Sequence, residues 1–252
     1  MSYIEIKNVS KSYKDKKVLE NISLKIDKGK FISFIGSYGS GKTTLLKMIS
    51  GLEKIDEGQI LINGFSPEKL KEKLKMGFVF QDPMLLPWRN VIDNITLPSE
   101  IDGEKITEEA KKLLKLVDLE SKEKCYPKEL SGGMQRIVSI LRASIMKPSV
   151  LLLDEPLSSI DEINRDDLHE KLIKIHEKNK QTTLLVTHSI HEAVYLSDEI
   201  YVLGGSPTRI LKKIMPKKPR RIENKFSSNT MIEVAEIREE LRKAVNNIWK
   251  KL

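Results

Sequence analysis

Apolar and polar residues alternate in two segments near the start of the chain. In YIEIKNVSKSY (3–13) the apolar positions are Ile4, Ile6 and Val9; in VLENISLKI (18–26) they are Val18, Ile22, Leu24 and Ile26. A period of two gives each segment one apolar face, so both read as half-buried strands of an antiparallel sheet. FISFIG (31–36) is a more continuously apolar strand and runs directly into a glycine-rich segment. KTTLLKMISGL then reads as a helix with Gly51 as its stop, and GQILING (58–64) as a further strand with Asn63-Gly64 as a turn.

From about Ser66 to Arg142 the spacing becomes helical, most clearly in ITEEAKKLLKLVDLE (106–120) and MQRIVSILRASIM (134–146). SVLLLDEP (149–156) reads as a buried strand, and a helix follows over 161–178. TTLLVTH (182–188) is another buried strand, SIHEAVYLS a short helix and EIYVLGG (199–205) a strand. Strands alternating with helices imply a parallel sheet. The helix-rich middle, about 82–146, therefore reads as a subdomain inserted into an α/β core, and there are no internal repeats or low-complexity tracts.

Composition narrows the class. At 252 residues the chain can bury one substantial core, or a core and a smaller subdomain. The longest apolar runs, such as VLLL at 150–153, fall far short of the roughly 20 residues a membrane-spanning helix needs. MSYIEIKNVSKSYK begins as a strand pattern without the apolar run of a signal peptide. The single cysteine, Cys125, excludes an internal disulfide and any multi-cysteine metal site. A cytoplasmic protein is expected. The net charge of +8 lies in the tail: residues 205–252 hold 13 Lys+Arg against 5 Asp+Glu, and the rest of the chain balances. A nucleic-acid-binding domain would be basic over one face of its core; here the excess reads as a solvated tail.

Two glycine-rich segments carry the candidate chemistry. Gly36-Ser37-Tyr38-Gly39-Ser40-Gly41-Lys42-Thr43-Thr44 fits the pattern G-x-x-x-x-G-K-[ST], with the strand before it and the helix after it that phosphate binding requires. Backbone N–H groups converge on phosphate oxygens, the helix adds the positive end of its dipole, Lys42 reaches the β/γ-phosphates, and Thr43 can ligate Mg²⁺. In LLLDEP, Asp154 ends a buried strand and is placed to hold the Mg²⁺ shell. Glu155 leaves the strand end the other way, where a carboxylate can activate or orient water. Gln81 and His188 each follow a strand, where open α/β sheets gather ligand contacts, although either alone could be a surface loop residue. The second glycine-rich segment, LSGGMQR at 130–136, has no histidine or acid arranged to activate its serine.

Together these segments closely resemble the ATP-binding cassette (ABC) family, over about residues 1–205. In that resemblance Tyr13 is the aromatic that stacks on adenine, residues 36–43 are the Walker A loop and Gln81 is the Q-loop glutamine. LSGGMQR is the signature, LLLDE the Walker B strand and His188 the switch histidine. The signature has Met134 where LSGGQ has glutamine, with Gln135 next, and Ser158-Ser159-Ile160-Asp161 resembles the D-loop with serine in place of alanine. The resemblance implies a P-loop NTPase core with an N-terminal antiparallel β subdomain, an inserted helical subdomain and a C-terminal helix. It implies catalytic roles for Glu155, His188, Gln81 and Lys42, and Mg²⁺ contacts from Thr43, Gln81 and Asp154. Nucleotide contacts come from Tyr13, residues 36–44, Ser131, Gly132, Gly133 and Gln135. It also explains the second glycine-rich segment. Two cassettes pair head-to-tail about a two-fold axis, and each ATP lies between the Walker A of one chain and the signature of the other. Ser131 and the N–H groups of Gly132 and Gly133 then meet the γ-phosphate.

With one cassette and no spanning helix, two copies are expected to dock under separate membrane permease subunits, with an extracytoplasmic solute-binding protein acting through the permease. FVFQDPMLLPWRNVIDNITLP (78–98) resembles importers of nitrate, sulfonates, taurine and thiamine-precursor pyrimidines. Met84, Leu85, Leu86 and Trp88 offer apolar area for the permease, or else form the subdomain's core. The rival readings are an exporter, a soluble non-transport cassette and a metabolic P-loop kinase, in which LSGGMQR would have no role. Beyond residue 205, KKIMPKKPRR (212–221) has two prolines among lysines and arginines and should be extended. Thr230 and Glu233 make a capping box. Val234, Ile237, Leu241, Ala244, Ile248 and Leu252 form one apolar stripe, predicting a packed helix over about 231–251 after a solvated basic linker.

Overall fold

The two alternating segments form β1 (Ile4–Tyr13) and β2 (Lys16–Ile26), and the first glycine-rich segment joins β3 (Phe31–Ile35) to α1 (Lys42–Ile49). Then come β4 (Glu57–Ile62), α2 (Pro67–Glu72), β5 (Met76–Val79), α3 (Val91–Ile101), α4 (Thr107–Leu116), α5 (Gly132–Ser144) and β6 (Val150–Asp154). The chain continues through α6 (Glu162–Asn179), β7 (Thr182–Thr187), α7 (Ile190–Leu196), β8 (Glu199–Gly204) and β9 (Arg209–Ile214). This computed structural model describes residues 2–72, 76–104, 106–158, 162–216, 234–239 and 242. It divides into two compact units, residues 1–73 with 182–252, and residues 74–181. Among the described residues no helix is long and apolar enough to cross a membrane.

In the first unit β1 lies between β2 and β4, antiparallel to both. Ile4 faces Ile26 and Ile62, and Ile6 faces Leu24 and Ile60, all of them buried. The period-two pattern of three separate segments thus meets on one face. Burying each of these side chains contributes about 1.5–3 kcal/mol before the entropy of ordering it. In the same unit β3 runs parallel between β7 and β8, and every residue of the three strands is buried.

Residues 209–214, read from sequence as part of a basic linker, instead form β9, antiparallel to β8. Two of the charges that suggested solvent are paired at the sheet edge. The Lys213 ammonium lies 2.8 Å from the buried Glu199 carboxylate, and Arg209 pairs with Glu20. Residues 234–239 are helical, and their buried side chains Val234 and Ile237 pack with Ile35, Ala193, Val194, Ile200 and Val202. The rest of the predicted stripe (Leu241, Ala244, Ile248, Leu252), the capping box and the segment from 217 to 233 lie outside the described residues.

In the second unit β5 pairs parallel with β6, and α5 packs against α3, α4 and α6. Leu113 and Leu114 of α4 and Ile137 and Leu141 of α5 are buried. Helix α5 starts at Gly132, two residues before the apolar periodicity begins, because the Ser131 side chain caps it by accepting from the Met134 N–H at 3.3 Å.

Candidate functional site

In the first unit the β3–α1 loop is shaped by two close constraints. A Cβ at Gly36 would lie 2.4 Å from the Leu203 carbonyl oxygen, so the strand end can approach β8 this closely only without a side chain. Gly41 caps α1 at φ 73°, a left-handed conformation that turns the following N–H groups into the loop. Lys42 is buried, and its ammonium donates to the carbonyls of Gly36 at 3.1 Å and Ser37 at 2.9 Å, with Ser40 Oγ at 3.5 Å. A positive charge is thereby fixed inside a ring of backbone amides, an arrangement suited to a polyphosphate. Ser37, Tyr38 and Gly39 form the exposed crest of the loop, Ser40 is buried below it, and Thr43 and Thr44 lie half-buried in the first turn of α1.

Two further predicted residues belong to the same unit. Tyr13 ends β1 and keeps 43% of its surface exposed. Burial raises the pKa of its phenol, the negative Glu53 acts in the same direction, and a hydrogen bond to Thr44 opposes them. His188 is exposed at the carboxyl end of β7. The residues around it are locked: the Thr187 hydroxyl lies 2.5 Å from the buried Glu192 carboxylate, and it accepts from the Ser189 N–H at 3.0 Å. The Ser189 side chain in turn caps α7. Thr187 and Glu192 escaped the sequence reading; the signal was an acid four residues after a strand-end histidine.

The second unit carries the remaining predicted residues. Asp154 is the buried last residue of β6. Glu155 turns the chain immediately afterwards at φ 44°, in the left-handed region that a glutamate rarely adopts. Gln81 is exposed just beyond β5. Ser131 and Gly132 are exposed at the N-terminus of α5, and a Cβ at Gly132 would meet nothing within 4 Å. That helix end therefore presents N–H groups on an open face, fit for an anion. Gln135 is placed differently from its neighbours. Its side-chain amide donates to the carbonyls of Pro127 at 3.0 Å and Leu130 at 3.3 Å, holding the turn that leads into the signature. Of the D-loop, residues 159–161 lie outside the described residues.

Three side chains that the sequence left unassigned fix the loop after β5. Arg136 Nη1 donates to the carbonyls of Gln81 at 2.7 Å and Pro156 at 2.9 Å. Arg142 holds the carbonyls of Met84 at 2.8 Å and Pro83 at 2.9 Å. The fully buried Asn94 accepts from the Leu86 N–H at 2.8 Å and donates to the carbonyls of Leu86, Arg89 and Asn90. With its backbone so held, the loop leaves Met84 63% and Trp88 72% exposed, while Leu85 and Leu86 are half-buried. The two readings of this apolar run thus divide: Met84 and Trp88 face solvent, and the leucines are shared with the unit.

The sequence model of the family described as ABC transporter matches residues 19–158. The chain belongs to that family. An aliphatic sulfonates import ATP-binding protein of Bacillus cereus is 42% identical over 221 residues, 86% of this chain and 87% of its own. An ABC transporter ATP-binding protein of Methanocaldococcus jannaschii is 42% identical over 231 residues, 89% of this chain and 83% of its own. Among solved structures, a dimeric ATP-binding cassette in a post-hydrolysis state with ADP and Pi superposes with a TM-score of 0.74 at 30% identity. It covers 86% of this chain and 100% of that one. The ABC fold expected from the sequence, an α/β P-loop core with an antiparallel β subdomain and inserted helices, is the fold found. The protein is an ATP hydrolase of the ABC type and binds ATP.

Proposed function

We propose that this cassette is the ATP-hydrolysing subunit of an importer for small organic anions of the aliphatic sulfonate class. The observation that carries the reading is the 42% identity, over 86% of the chain, to a sulfonates import ATP-binding protein. The importer would contain two copies of the cassette, a separate membrane permease and, acting through that permease, an extracytoplasmic solute-binding protein. The cassette sits at the cytoplasmic face of the membrane as a peripheral subunit. Met84 and Trp88 are the contact we assign to the permease: they are apolar, exposed, and carried on a loop whose backbone is tied down by Arg142 and Asn94. A rigid platform transmits displacement, where a floppy one would absorb it.

In the proposed cycle the phosphate loop of one chain holds ATP through Lys42 and the N–H groups of residues 36–44, and Tyr13 stacks on the base. Thr43, Asp154 and Gln81 offer the hard oxygen donors that suit Mg²⁺, which binds through a few such groups together with substrate phosphates. When bound, Mg²⁺ neutralises charge on the β- and γ-phosphates. Glu155 accepts a proton from, or orients, the attacking water, and Gln81 and His188 contact the terminal phosphate and water. Ser131, Gly132 and Gly133 of the second copy complete the site, so ATP favours the paired state and hydrolysis releases it.

The test is reconstitution of the cassette with its permease in liposomes, followed by ATPase measurement as solute and binding protein are added inside. Stimulation by an alkanesulfonate, and loss of that coupling in Trp88→Ala with basal hydrolysis retained, is the expected result. Stimulation by nitrate or a pyrimidine alone moves the substrate class, and tight association with no membrane protein at all overturns the importer reading.

A further inference from the structure

Lys11 and Glu53 are placed in no role by the cycle above, yet they form a charged cluster within the first unit. Lys11 lies on β1, and its side chain is 9% exposed. Its ammonium meets three oxygens: Glu53 Oε1 at 2.8 Å, Asp56 Oδ1 at 3.1 Å and the Lys54 carbonyl at 2.8 Å. Three acceptors satisfy the three N–H donors of an ammonium, so the buried charge is fully compensated. The second Asp56 oxygen accepts from the Ser12 N–H at 2.7 Å. The segment after α1, which carries Glu53, Lys54 and Asp56, therefore grips the end of β1 by both side chain and backbone.

Tyr13 stands at the centre of this grip. The Lys11 ammonium lies over its ring, 5.2 Å from the centroid, and is itself held by Glu53 of the segment that follows the phosphate-loop helix. One side of the ring is thus occupied by a held cation, while 43% of the residue remains open. A ring held this way meets a flat ligand without first losing its own rotational freedom.

We propose that Lys11 and Glu53 are positioning residues for nucleotide-base recognition, their ion pair fixing the Tyr13 ring relative to the phosphate-loop helix so that base and phosphates are gripped at a set separation. The proposal rests on the reading of Tyr13 as the base platform. Glu53 is the shared element. Its carboxylate binds Lys11 at 2.8 Å, and Lys11 in turn holds it ionised, with its pKa below the ordinary glutamate value. Without the carboxylate, Lys11 loses one of its three acceptors, and the cation over the ring is no longer held from the phosphate-loop side. The ring would then sample orientations in which stacking is lost.

The experiment compares binding of ATP with binding of inorganic tripolyphosphate, which has no base, by calorimetry in the full chain. Tyr13→Ala should weaken ATP about tenfold, the scale of one base–aromatic stack, and leave tripolyphosphate unchanged. Glu53→Gln should reproduce about a threefold to tenfold part of that loss, again sparing tripolyphosphate, and raise KM for ATP with kcat held. In a Tyr13→Ala background Glu53→Gln should add nothing, and Lys11→Arg should behave as the parent where Lys11→Met does not. If Tyr13→Ala leaves ATP affinity intact, the base-platform reading falls and the proposal with it. If Tyr13→Ala weakens ATP while Glu53→Gln does not, the platform stands and the positioning role is wrong. Equal losses for ATP and tripolyphosphate in Glu53→Gln would make the cluster a staple of the fold and overturn the proposal as well.

Discussion

Arg136 donates from Nη1 to the carbonyl of Gln81 at 2.7 Å, tying the helix that begins at the signature to the loop that carries the Q-loop glutamine. The same nitrogen reaches Pro156 at 2.9 Å, the residue that follows Glu155. One buried guanidinium therefore joins three functional segments of one unit. Burial lowers its pKa and the Asp82 carboxylate opposes that, so the charge costs solvation that the two carbonyls and Asp82 must offset.

Arg136→Lys keeps the charge but replaces a planar fork with a single ammonium on a shorter reach. Gln81 and Glu155 would then lose their common tether, and catalytic groups displaced by even 1 Å can cost about a hundredfold. We expect kcat to fall about ten- to hundredfold in Arg136→Lys, with ATP binding close to the parent's. A steady-state ATPase assay beside a nucleotide-binding titration checks this; unchanged kcat would show the tether to be structural.

Glu155→Gln should separate binding from turnover. The amide cannot take a proton from water, a role typically worth about 10²–10⁴-fold in rate, whereas the Lys42 grip on the phosphate loop is untouched. Hydrolysis should nearly stop while an ATP-trapped dimer accumulates, visible by size-exclusion chromatography. Undiminished turnover would remove Glu155 from its proposed role.

The contrast between these two residues explains what could be read from the sequence. The roles proposed for Glu155 and Lys42 demand a residue type at a fixed spacing, and such spacing is visible in one dimension. The apolar alternation of Ile4, Ile6, Ile22 and Leu24 was equally legible, because a strand face has a period. Arg136 and Arg142 donate to the carbonyls of distant backbone and Asn94 to those just before it, and carbonyls carry no sequence signature. β9 was missed for a different reason. RILKKI has the composition of a solvated linker, and the carboxylates that pair its charges, Glu199 on the neighbouring strand and Glu20 far away in sequence, carry no mark of that role.

The Lys11 cluster should also steepen the loss of stability in acid. Glu53 is lowered from 4.5, chiefly by its hydrogen bond with Lys11, and Asp56 from 3.8, chiefly by the Ser12 N–H and then by Lys11. Groups lowered in the folded state contribute stability that is fully present above their unfolded pKa values and lost as pH falls through the folded ones. The window therefore opens below about pH 4.5. Urea midpoints measured from pH 6 to pH 3 should fall more steeply below that point in the parent than in Asp56→Asn, which has already lost one titrating partner. Parallel curves would mean that the cluster does not control the acid limb.

The C-terminal helical segment offers a sharper test of packing, because its two faces differ within six residues. Ile237 is 4% exposed and packs with Ile35, Val194 and Val202, whereas Glu236 beside it faces solvent. Both residues sit in a helix, so alanine removes side-chain contacts at either position without disfavouring the backbone. At Ile237 the loss combines transfer of the removed carbons with the cavity they leave, about 2–4 kcal/mol for a buried isoleucine. At Glu236 it should stay within about 0.5 kcal/mol, as for other surface changes. The partners of Ile237 lie at the end of β3 that leads into the phosphate loop, and on α7 and β8. Loosening that face should therefore lower ATP affinity along with the unfolding midpoint, and bound ATP should recover part of the lost stability. Chemical denaturation of Ile237→Ala and Glu236→Ala, with and without nucleotide, reads both effects. If the two variants unfold together at the parent's midpoint, the segment is an appendage and its apolar stripe supports nothing in the ATP-binding core.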